Sequence, residues 1–243
     1  MSKIKFLGFA PIVRPDREGG TDGSRQPADP GRGGIPVAEP ADSGGNRPVL
    51  PVRNGILTIP ARMEEIPEEL CMGREDIFAV EFEEPCSVRK IGRAAFCDCV
   101  KLREIRFPPD IPLQTVGEDA FRRCTALETL HLPEGTEELD TDAFSECVSL
   151  NDLQLPRTLK SIGRGAFALC FRLRHVAIPE SVSSIGDEAF YLSRSAREYI
   201  SLDFGKRTDF SGIDPNVMRQ SHLCPYCGRP RPRWAVWPCP CGR

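Results

Sequence analysis

The chemistry with the clearest signature in this chain belongs to four cysteines near its C-terminal end. Cys224 and Cys227 are separated by two residues in the segment CPYCG, and Cys239 and Cys241 follow after eleven intervening residues in CPCG. Two residues between a pair of thiolates let both reach one tetrahedral ion, and four thiolates form a closed ligand set for structural Zn²⁺. The second pair has one intervening residue instead of the usual two, and the neighbouring His222 is an alternative ligand.

Other chemistries are open to this C-terminal tail. A lone Cys-x-x-Cys motif could be a redox dithiol and four cysteines could form two disulfides, but two close pairs without a βαβ pattern favour zinc. The tail has almost no core, so metal binding would supply its folding energy, with Trp234 and Trp237 packed over the site. Alternatively, Trp234 and three arginines could stack on single-stranded nucleic acid. These arginines are Arg229, Arg231 and Arg233.

Four further cysteines recur at regular intervals in the middle of the chain, each three residues after the phenylalanine of an Ala-Phe pair. If equivalent residues stack at the strand spacing of about 4.8 Å, the four thiols form a row. We interpret the row as buried packing, because free cysteine behaves as a small hydrophobic residue and no histidine or acid recurs beside it. Cys97 is additional to the row and is expected to be exposed. The row comprises Cys99, Cys124, Cys147 and Cys170.

These cysteines belong to a longer repeat. Its phenylalanines are spaced by 25, 23, 23 and 23 residues, and each unit continues to a short alternating run that ends in proline, as in EIRFP, TLHLP, DLQLP and HVAIP. A period of this length indicates a solenoid, because no unit can bury its apolar face alone and stacking makes a continuous core. The phenylalanines are Phe96, Phe121, Phe144, Phe167 and Phe190.

A single unit predicts the local structure. In RLRHVAIP, Val176 alternates with His175 and Ala177, which predicts a strand of about four or five residues with one buried face, ended by the following proline. After the strand, an isoleucine turns inward and Gly186 permits a tight corner. The segment DEAF then begins a short helical turn that buries its phenylalanine.

The recurring pattern I-G-x-x-A-F-x-x-C-x-x-L-x-x-I-x-L-P resembles the BspA-type leucine-rich repeat over about residues 55–204. The resemblance implies a curved, right-handed solenoid that is used for protein binding and has no catalytic residues of its own. The pattern weakens toward its end, where Ser193 replaces the cysteine and Ala196 replaces the leucine, as expected of a capping repeat. Residues 223–243 resemble a zinc ribbon or a small zinc knuckle.

We therefore predict an α/β repeat solenoid of short strands and short helical turns, followed by a small zinc-ribbon-like module. The first 54 residues contain nine glycines and eight prolines and lack an apolar period, which predicts a disordered leader. The solenoid is assigned to residues 55–213 and the zinc-ribbon-like module to residues 214–243.

The outward-facing strand residues form the predicted binding surface. Solenoids present extended concave sheets, so we expect a protein partner to dock across the polar side chains that point away from the core. No aromatic cluster is expected there, which argues against strong binding hot spots. His131 and His175 occupy non-equivalent strand positions and should not share a metal. The surface is predicted to comprise Glu81, Glu104, Arg106, Thr129, His131, Asp152, Gln154 and His175.

Sequence motifs and net charge limit the classes of function expected for this chain. The sequence contains no G-x-S-x-G, phosphate-binding glycine loop or H-E-x-x-H motif, so we expect a scaffold that binds another protein and not an enzyme. A net charge of −3 argues against polyanion binding by the whole molecule, yet residues 219–243 carry five arginines and no acid. Nucleic-acid binding through this tail is therefore the alternative, and a surface adhesin is a further one.

The N-terminal segment bears on localisation. Its apolar run FLGFAPIV is short and interrupted by proline, unlike a signal peptide, and no run approaches the ~20 apolar residues of a membrane span. We expect no membrane contact and a cytoplasmic location, where the eleven cysteines stay as thiols or bind metal.

Overall fold

The computed structural model describes residues 49–193, 200–205 and 209–220. Contacts divide the chain into two units, residues 1–44 and 45–243, and the described residues all belong to the second unit. These residues form fourteen short strands and one helix. In chain order the elements are β1 (Val52–Arg53), β2 (Ile56–Ile59), β3 (Glu65–Ile66), β4 (Ala79–Phe82), β5 (Lys90–Ile91), β6 (Glu104–Arg106), β7 (Thr115–Val116), β8 (Thr129–His131), β9 (Glu138–Leu139), β10 (Asp152–Gln154), β11 (Ser161–Ile162), β12 (His175–Ala177), β13 (Ser184–Ile185), β14 (Ser201–Asp203) and α1 (Pro215–Gln220).

The strands stack into two parallel ladders, which confirms the solenoid. One ladder contains the longer strands in the groups β1-β2-β4-β6, β8-β10 and β12-β14, and only β1 pairs antiparallel to its neighbour. The other is a six-stranded parallel sheet of two-residue strands, β3-β5-β7-β9-β11-β13. Equivalent apolar residues pair across it, such as Val116 with Leu139 and Ile162 with Ile185. The sequence predicts the inward isoleucine of the units but not this second sheet.

The strands of the first ladder are shorter than predicted. From β6 onward they have three residues, because the proline that follows two residues later has no N–H to continue the pairing. The predicted single buried face is confirmed in β12, where Val176 is buried and both His175 and Ala177 are exposed.

The predicted helical turns after each glycine are wrong. The Ala-Phe segments form a third backbone ladder, in which alternate N–H groups donate to the next unit: those of Asp119, Phe121 and Arg123 reach the carbonyls of Thr141, Ala143 and Ser145 at 2.8–3.0 Å. Both Asp119 and Arg123 have left-handed backbones, with φ of 54° and 60°. Because an L-residue in this region cannot continue a right-handed helix, the segment forms tight turns. We call this ladder the turn ladder.

The glycine before each turn has a different role from the one predicted. Gly186 has no left-handed φ, and a Cβ added to it would lie 2.7 Å from the backbone nitrogen of Arg164 in the preceding unit. At Gly163 the corresponding distance to the carbonyl carbon of Asp140 is 2.5 Å. Glycine therefore permits the close approach of successive units, while the change of chain direction uses the left-handed residues that follow.

The regular spacing of the phenylalanines produces a continuous stack inside the solenoid. The five rings have centroid separations of 5.0, 5.1, 5.5 and 5.5 Å and interplanar angles of 1–11°. All five side chains are at most 2% exposed. Offset stacking of this kind adds to the large apolar area that each ring buries. The rings are those of Phe96, Phe121, Phe144, Phe167 and Phe190.

Both ends of the stack are closed by elements that depart from the repeat. At the first end, β1 pairs with β2 and Leu50 is buried. At the last end, the carboxylate of Asp214 accepts a 2.7 Å hydrogen bond from the N–H of Asn216 at the start of α1, and Val217 and Met218 are fully buried. Of the helices among the described residues, none is long and apolar enough to cross a membrane.

We expect the substitution Phe144→Ala to lower the free energy of unfolding by about 3–5 kcal/mol, because it opens a cavity between two stacked rings. Chemical denaturation followed by circular dichroism measures this loss. The control is Phe78→Ala, which removes a ring that is 43% exposed and should cost about 1 kcal/mol or less. Equal losses in the two variants would contradict a core organised around the stack.

Candidate protein-docking surface

The eight residues predicted to bind a partner lie on the outward side of the first ladder. The strand registers place them in two adjacent rows, since Thr129 pairs with Asp152 and His131 with Gln154. The N–H of Glu128 donates to the carbonyl of Arg103 at 3.3 Å, which joins β8 to β6. We call the two rows together the exposed strand face. It consists of Glu104, Thr129, Asp152, His175 and Ser201 in one row, and of Glu81, Arg106, His131, Gln154, Ala177 and Asp203 in the other. Ala79, which the strand alternation also predicts to point outward, is buried and is not part of this face.

Charged side chains on this face pair with one another across neighbouring units. Arg106 donates to the carboxylates of both Glu104 and Glu81, and these hydrogen bonds raise the pKa of its guanidinium. His131 Nε2 lies 3.0 Å from Asp152 Oδ2 in the next unit. His131 and His175 are in different rows, as predicted from their strand positions. Pairing fixes the directions of these groups in advance, although exposed pairs add little stability.

A groove of about 470 Å³ runs along the first units of the exposed strand face. Phe78 stands at its edge, just before β4, with 43% of its surface exposed. Its ring is held over Gly55, where an added Cβ would lie 2.0 Å from a ring carbon. The sequence predicts no aromatic cluster on this face and does not single out Phe78. The groove is lined by Ile56, Phe78, Ala79, Arg103, Glu104, Arg106, Glu128 and Thr129.

The cysteine row is a packing feature, as predicted. Each thiol of the row is fully buried and donates to a carbonyl of the preceding unit. Cys124 Sγ reaches the carbonyl of Phe96 at 3.2 Å, and Cys147 reaches that of Phe121 at 3.3 Å. Ser193, which replaces the cysteine in the last unit, makes the same bond to Phe167. The row position therefore requires a small side chain that can donate a hydrogen bond.

Cys97 was expected to be exposed, and this expectation is wrong. Its side chain is 7% exposed, and its Sγ lies 3.6 Å from the Asp98 carboxylate. Burial and the negative charge of Asp98 raise its pKa to about 11. The residue sits in the turn ladder, where small neighbours such as Ser145 and Ala168 are also buried. A polar turn in the sequence does not reveal this packing.

Burial determines the protonation state of the thiols in the cysteine row. It raises the pKa of Cys99 and Cys170 to about 12, and it also raises the pKa of Cys124 and Cys147 well above the ordinary value. Because the thiolate is the nucleophile and the metal ligand, these neutral thiols are suited to neither task near neutral pH. Within the described part of the chain, no group of three or more histidine, cysteine or acidic side chains is placed to hold a metal ion.

The remaining predicted site residues lie outside the described residues. They are the zinc ligands Cys224, Cys227, Cys239 and Cys241, and the nucleic-acid residues Arg229, Arg231, Arg233 and Trp234.

Comparison with known proteins tests the architecture. Residues 58–197 match six copies of the BspA type leucine rich repeat region. The chain belongs to the BspA-type leucine-rich repeat family. No curated protein gives a significant match.

Three solved structures are similar to this BspA-type chain. A leucine-rich repeat protein from Bacteroides ovatus is 27% identical, with a TM-score of 0.51 over 62% of this chain and 37% of its own. The leucine rich repeat protein of T. pallidum is 31% identical, with a TM-score of 0.47 over 60% of this chain and 62% of its own. A leucine-rich repeat protein from Eubacterium ventriosum shares the fold at 20% identity, with a TM-score of 0.50 over 68% of this chain and 48% of its own. This chain thus spans between 37% and 62% of the length of these proteins.

We expect the free energy of unfolding to fall as the pH rises above about 9. The unfolded thiols ionise near their ordinary pKa of 9.0, whereas burial keeps Cys99 and Cys170 neutral up to about pH 12. Stability from a raised pKa is present below the unfolded value and is lost above it, at about 1.4 kcal/mol per pH unit for each thiol. Denaturation curves at pH 8, 9 and 10 measure this slope.

The variant Cys147→Ser isolates the contribution of one thiol. Serine already occupies the equivalent position at residue 193, so we expect the variant to fold and its slope above pH 9 to be shallower by about one thiol. Ser193→Ala serves as the control, since it alters the same position without removing a titratable group. Parallel slopes in the wild type and Cys147→Ser would contradict the assignment.

Proposed function

We propose that this protein is a non-enzymatic scaffold that binds another protein through the exposed strand face. The observation that carries the proposal is the groove beside Phe78, which combines an exposed ring with charged side chains already fixed by pairing. Leucine-rich repeat proteins of this kind are generally protein-interaction or surface proteins. Their stacked strands present an extended surface suited to a protein partner.

The chemistry of the groove favours a partner segment with both apolar and charged groups. Binding energy in protein interfaces concentrates at aromatic and arginine side chains that become fully desolvated. Phe78 and Arg103 supply these two types at the groove, with Glu128 as an acceptor beside them. The pairing of Arg106 with two carboxylates fixes the direction of this groove-lining side chain and limits the ordering that binding requires.

The proposal includes no catalytic step. The described cysteines of the row are hydrogen-bonded in the core, and a buried neutral thiol does not act as a nucleophile. The seven cysteines among the described residues are free thiols, which favours a reducing compartment such as the cytoplasm. A surface adhesin is the alternative placement, and it would use the same exposed strand face.

A photo-crosslinking experiment tests the docking surface. A photoreactive phenylalanine analogue is placed at Phe78 in the full chain, and at Met72 as the control. Met72 is 51% exposed but lies in the turn ladder. After irradiation in cell extract, we expect a discrete protein adduct from position 78 that is absent from position 72, and a loss of that adduct when Thr129→Arg fills the groove.

Two results would contradict the scaffold proposal. Equal adducts from positions 78 and 72 would mean that the groove has no special role. Adducts that disappear after nuclease treatment would instead favour the second candidate function, nucleic-acid binding, which is motivated by five arginines and no acid in residues 219–243. Such binding would depend strongly on salt concentration.

We also propose that Cys224, Cys227, Cys239 and Cys241 bind one structural Zn²⁺, because four thiolates are a typical closed zinc ligand set. Metal analysis of the full chain should give about one zinc per chain, and Cys227→Ser should lower this content. The control Cys86→Ser, at a half-buried cysteine of the solenoid, should retain the metal. Zinc content that is unaffected by Cys227→Ser would contradict the assignment.

A further inference from the structure

Along one edge of the turn ladder, the residues are charged in the first units and apolar in the last two. In the first units, the position two residues after each core phenylalanine is charged, and the charges alternate. Asp98 pairs with Arg123 at 3.1 Å, and Arg123 lies 3.8 Å from Glu146. These contacts neutralise the row, as expected of a solvated edge.

In the last two units the same position is occupied by leucine. The N–H of Leu169 donates to the carbonyl of Tyr191 at 2.7 Å, so the two units are directly joined there. Phe171, Tyr191 and Leu192 are 48%, 41% and 46% exposed. We call the four residues Leu169, Phe171, Tyr191 and Leu192 the terminal apolar patch. Three exposed apolar side chains on two directly joined units are typical of an interaction surface.

The backbone conformation at these two leucines is that of the turn itself, since Arg123 and Glu146 have φ of 60° and 61° at the equivalent positions of earlier units. Leu169 and Leu192 have left-handed φ values of 60° and 48°. That region disfavours large L-residues, whereas aspartate and asparagine tolerate it, and Asp98 occupies the equivalent position of an earlier unit with φ of 61°. The turn itself does not require leucine at these positions, because charged residues adopt the same backbone conformation in the earlier units.

The chain itself supplies an apolar segment close to this patch. Asn216 in α1 donates from Nδ2 to Asp187 Oδ1 at 3.2 Å, four residues before Tyr191. After α1 ends at Gln220, the tail reaches the segment Trp234–Trp237, with the sequence WAVW, after 14 residues. The tail begins at the end of α1, which contacts the last unit through Asn216, so no long span has to be bridged even when the proposed zinc site folds residues 224–241.

Charge favours the same occupant. Residues 219–243 hold five of the 32 basic residues and no acid, which leaves 27 basic and 35 acidic residues, a balance of −8, for residues 1–218. The segment WAVW directly follows Arg229, Arg231 and Arg233. A basic tail is thus attracted to an acidic body, and its apolar segment can cover the patch.

We propose that the segment Trp234–Trp237 docks on the terminal apolar patch of the same chain. The docked tail covers the turn edge of the last two units, a different side of each unit from the exposed strand face. It also holds the arginines against the acidic body, which limits their contact with other polyanions. This docking is independent of the scaffold proposal, because neither the groove nor Phe78 takes part in it.

Tryptophan fluorescence of the full chain tests the docking, because Trp234 and Trp237 are the only tryptophans in the sequence. The test variant is L169E/L192D, which introduces the residue types found at the equivalent positions 146 and 98 and is therefore compatible with the turn. We expect emission at longer wavelength and severalfold stronger quenching by acrylamide in the variant than in the wild type. The control M72E changes an exposed methionine in the first unit and should leave both quantities unchanged.

A converse variant keeps the proposal testable if L169E/L192D alters the fold. In W234S/W237S, we expect faster iodination of Tyr191 than in the wild type, measured by mass spectrometry of its peptide. Three outcomes would overturn the proposal. The first is that acrylamide quenches the wild-type tryptophans fully, and the second is that the tryptophans are protected from acrylamide equally in the wild type and in L169E/L192D. The third is that this protection depends on protein concentration and that sedimentation shows a dimer. The second outcome would mean packing within the tail, and the third would make a second copy the occupant.

Discussion

The structure depends on one constraint: each unit must form backbone hydrogen bonds with the next unit along the same three segments. Two segments are strands and the third is the turn ladder. Because every residue then lies beside its own equivalent, a side chain that packs well in one unit must pack against a copy of itself. Planar rings meet this condition by stacking, as Phe121 does against Phe144 at 5.1 Å. The close approach also explains why glycine stands at 163 and 186, where a Cβ would meet backbone.

The same constraint separates the residues that maintain the fold from those that are free to bind. Inward positions are limited to residues that stack, such as the phenylalanines and the small hydrogen-bond donors Cys147 and Ser193. Outward positions on the exposed strand face carry no packing requirement, so they differ from unit to unit: acids at one unit, histidine and glutamine at others. Binding specificity in such a molecule is therefore a property of the outward rows and of the non-repeating ends.

Most of the solenoid could be predicted from the sequence because its signal is a period. The spacing of the phenylalanines predicts the core rows, and burial confirms them. The alternation around Val176 predicts the outward positions, which β12 confirms, whereas Ala79 in β4 is buried. Features that depend on contact between units were not predictable in this way. The two-residue strands of the second sheet are too short to show an alternation, and the left-handed residues Asp119 and Arg123 have ordinary side chains for a helical turn. Phe78 was not predicted because it lies in the first units of the solenoid, where the repeat pattern is too degenerate to assign positions.

The turn ladder has a net dipole along the direction in which the units stack. In each of its hydrogen-bonded peptide groups, the carbonyl points toward the preceding unit and the N–H toward the following one. Aligned peptide dipoles add along their common axis, so the dipole of the turn ladder has its positive end at the last unit and its negative end at the first. An α-helix has the opposite sense relative to its chain direction. The last unit is adapted to this field: Asp187 places a carboxylate oxygen 2.8 Å from the N–H of Glu188, the first forward-pointing donor at the positive pole.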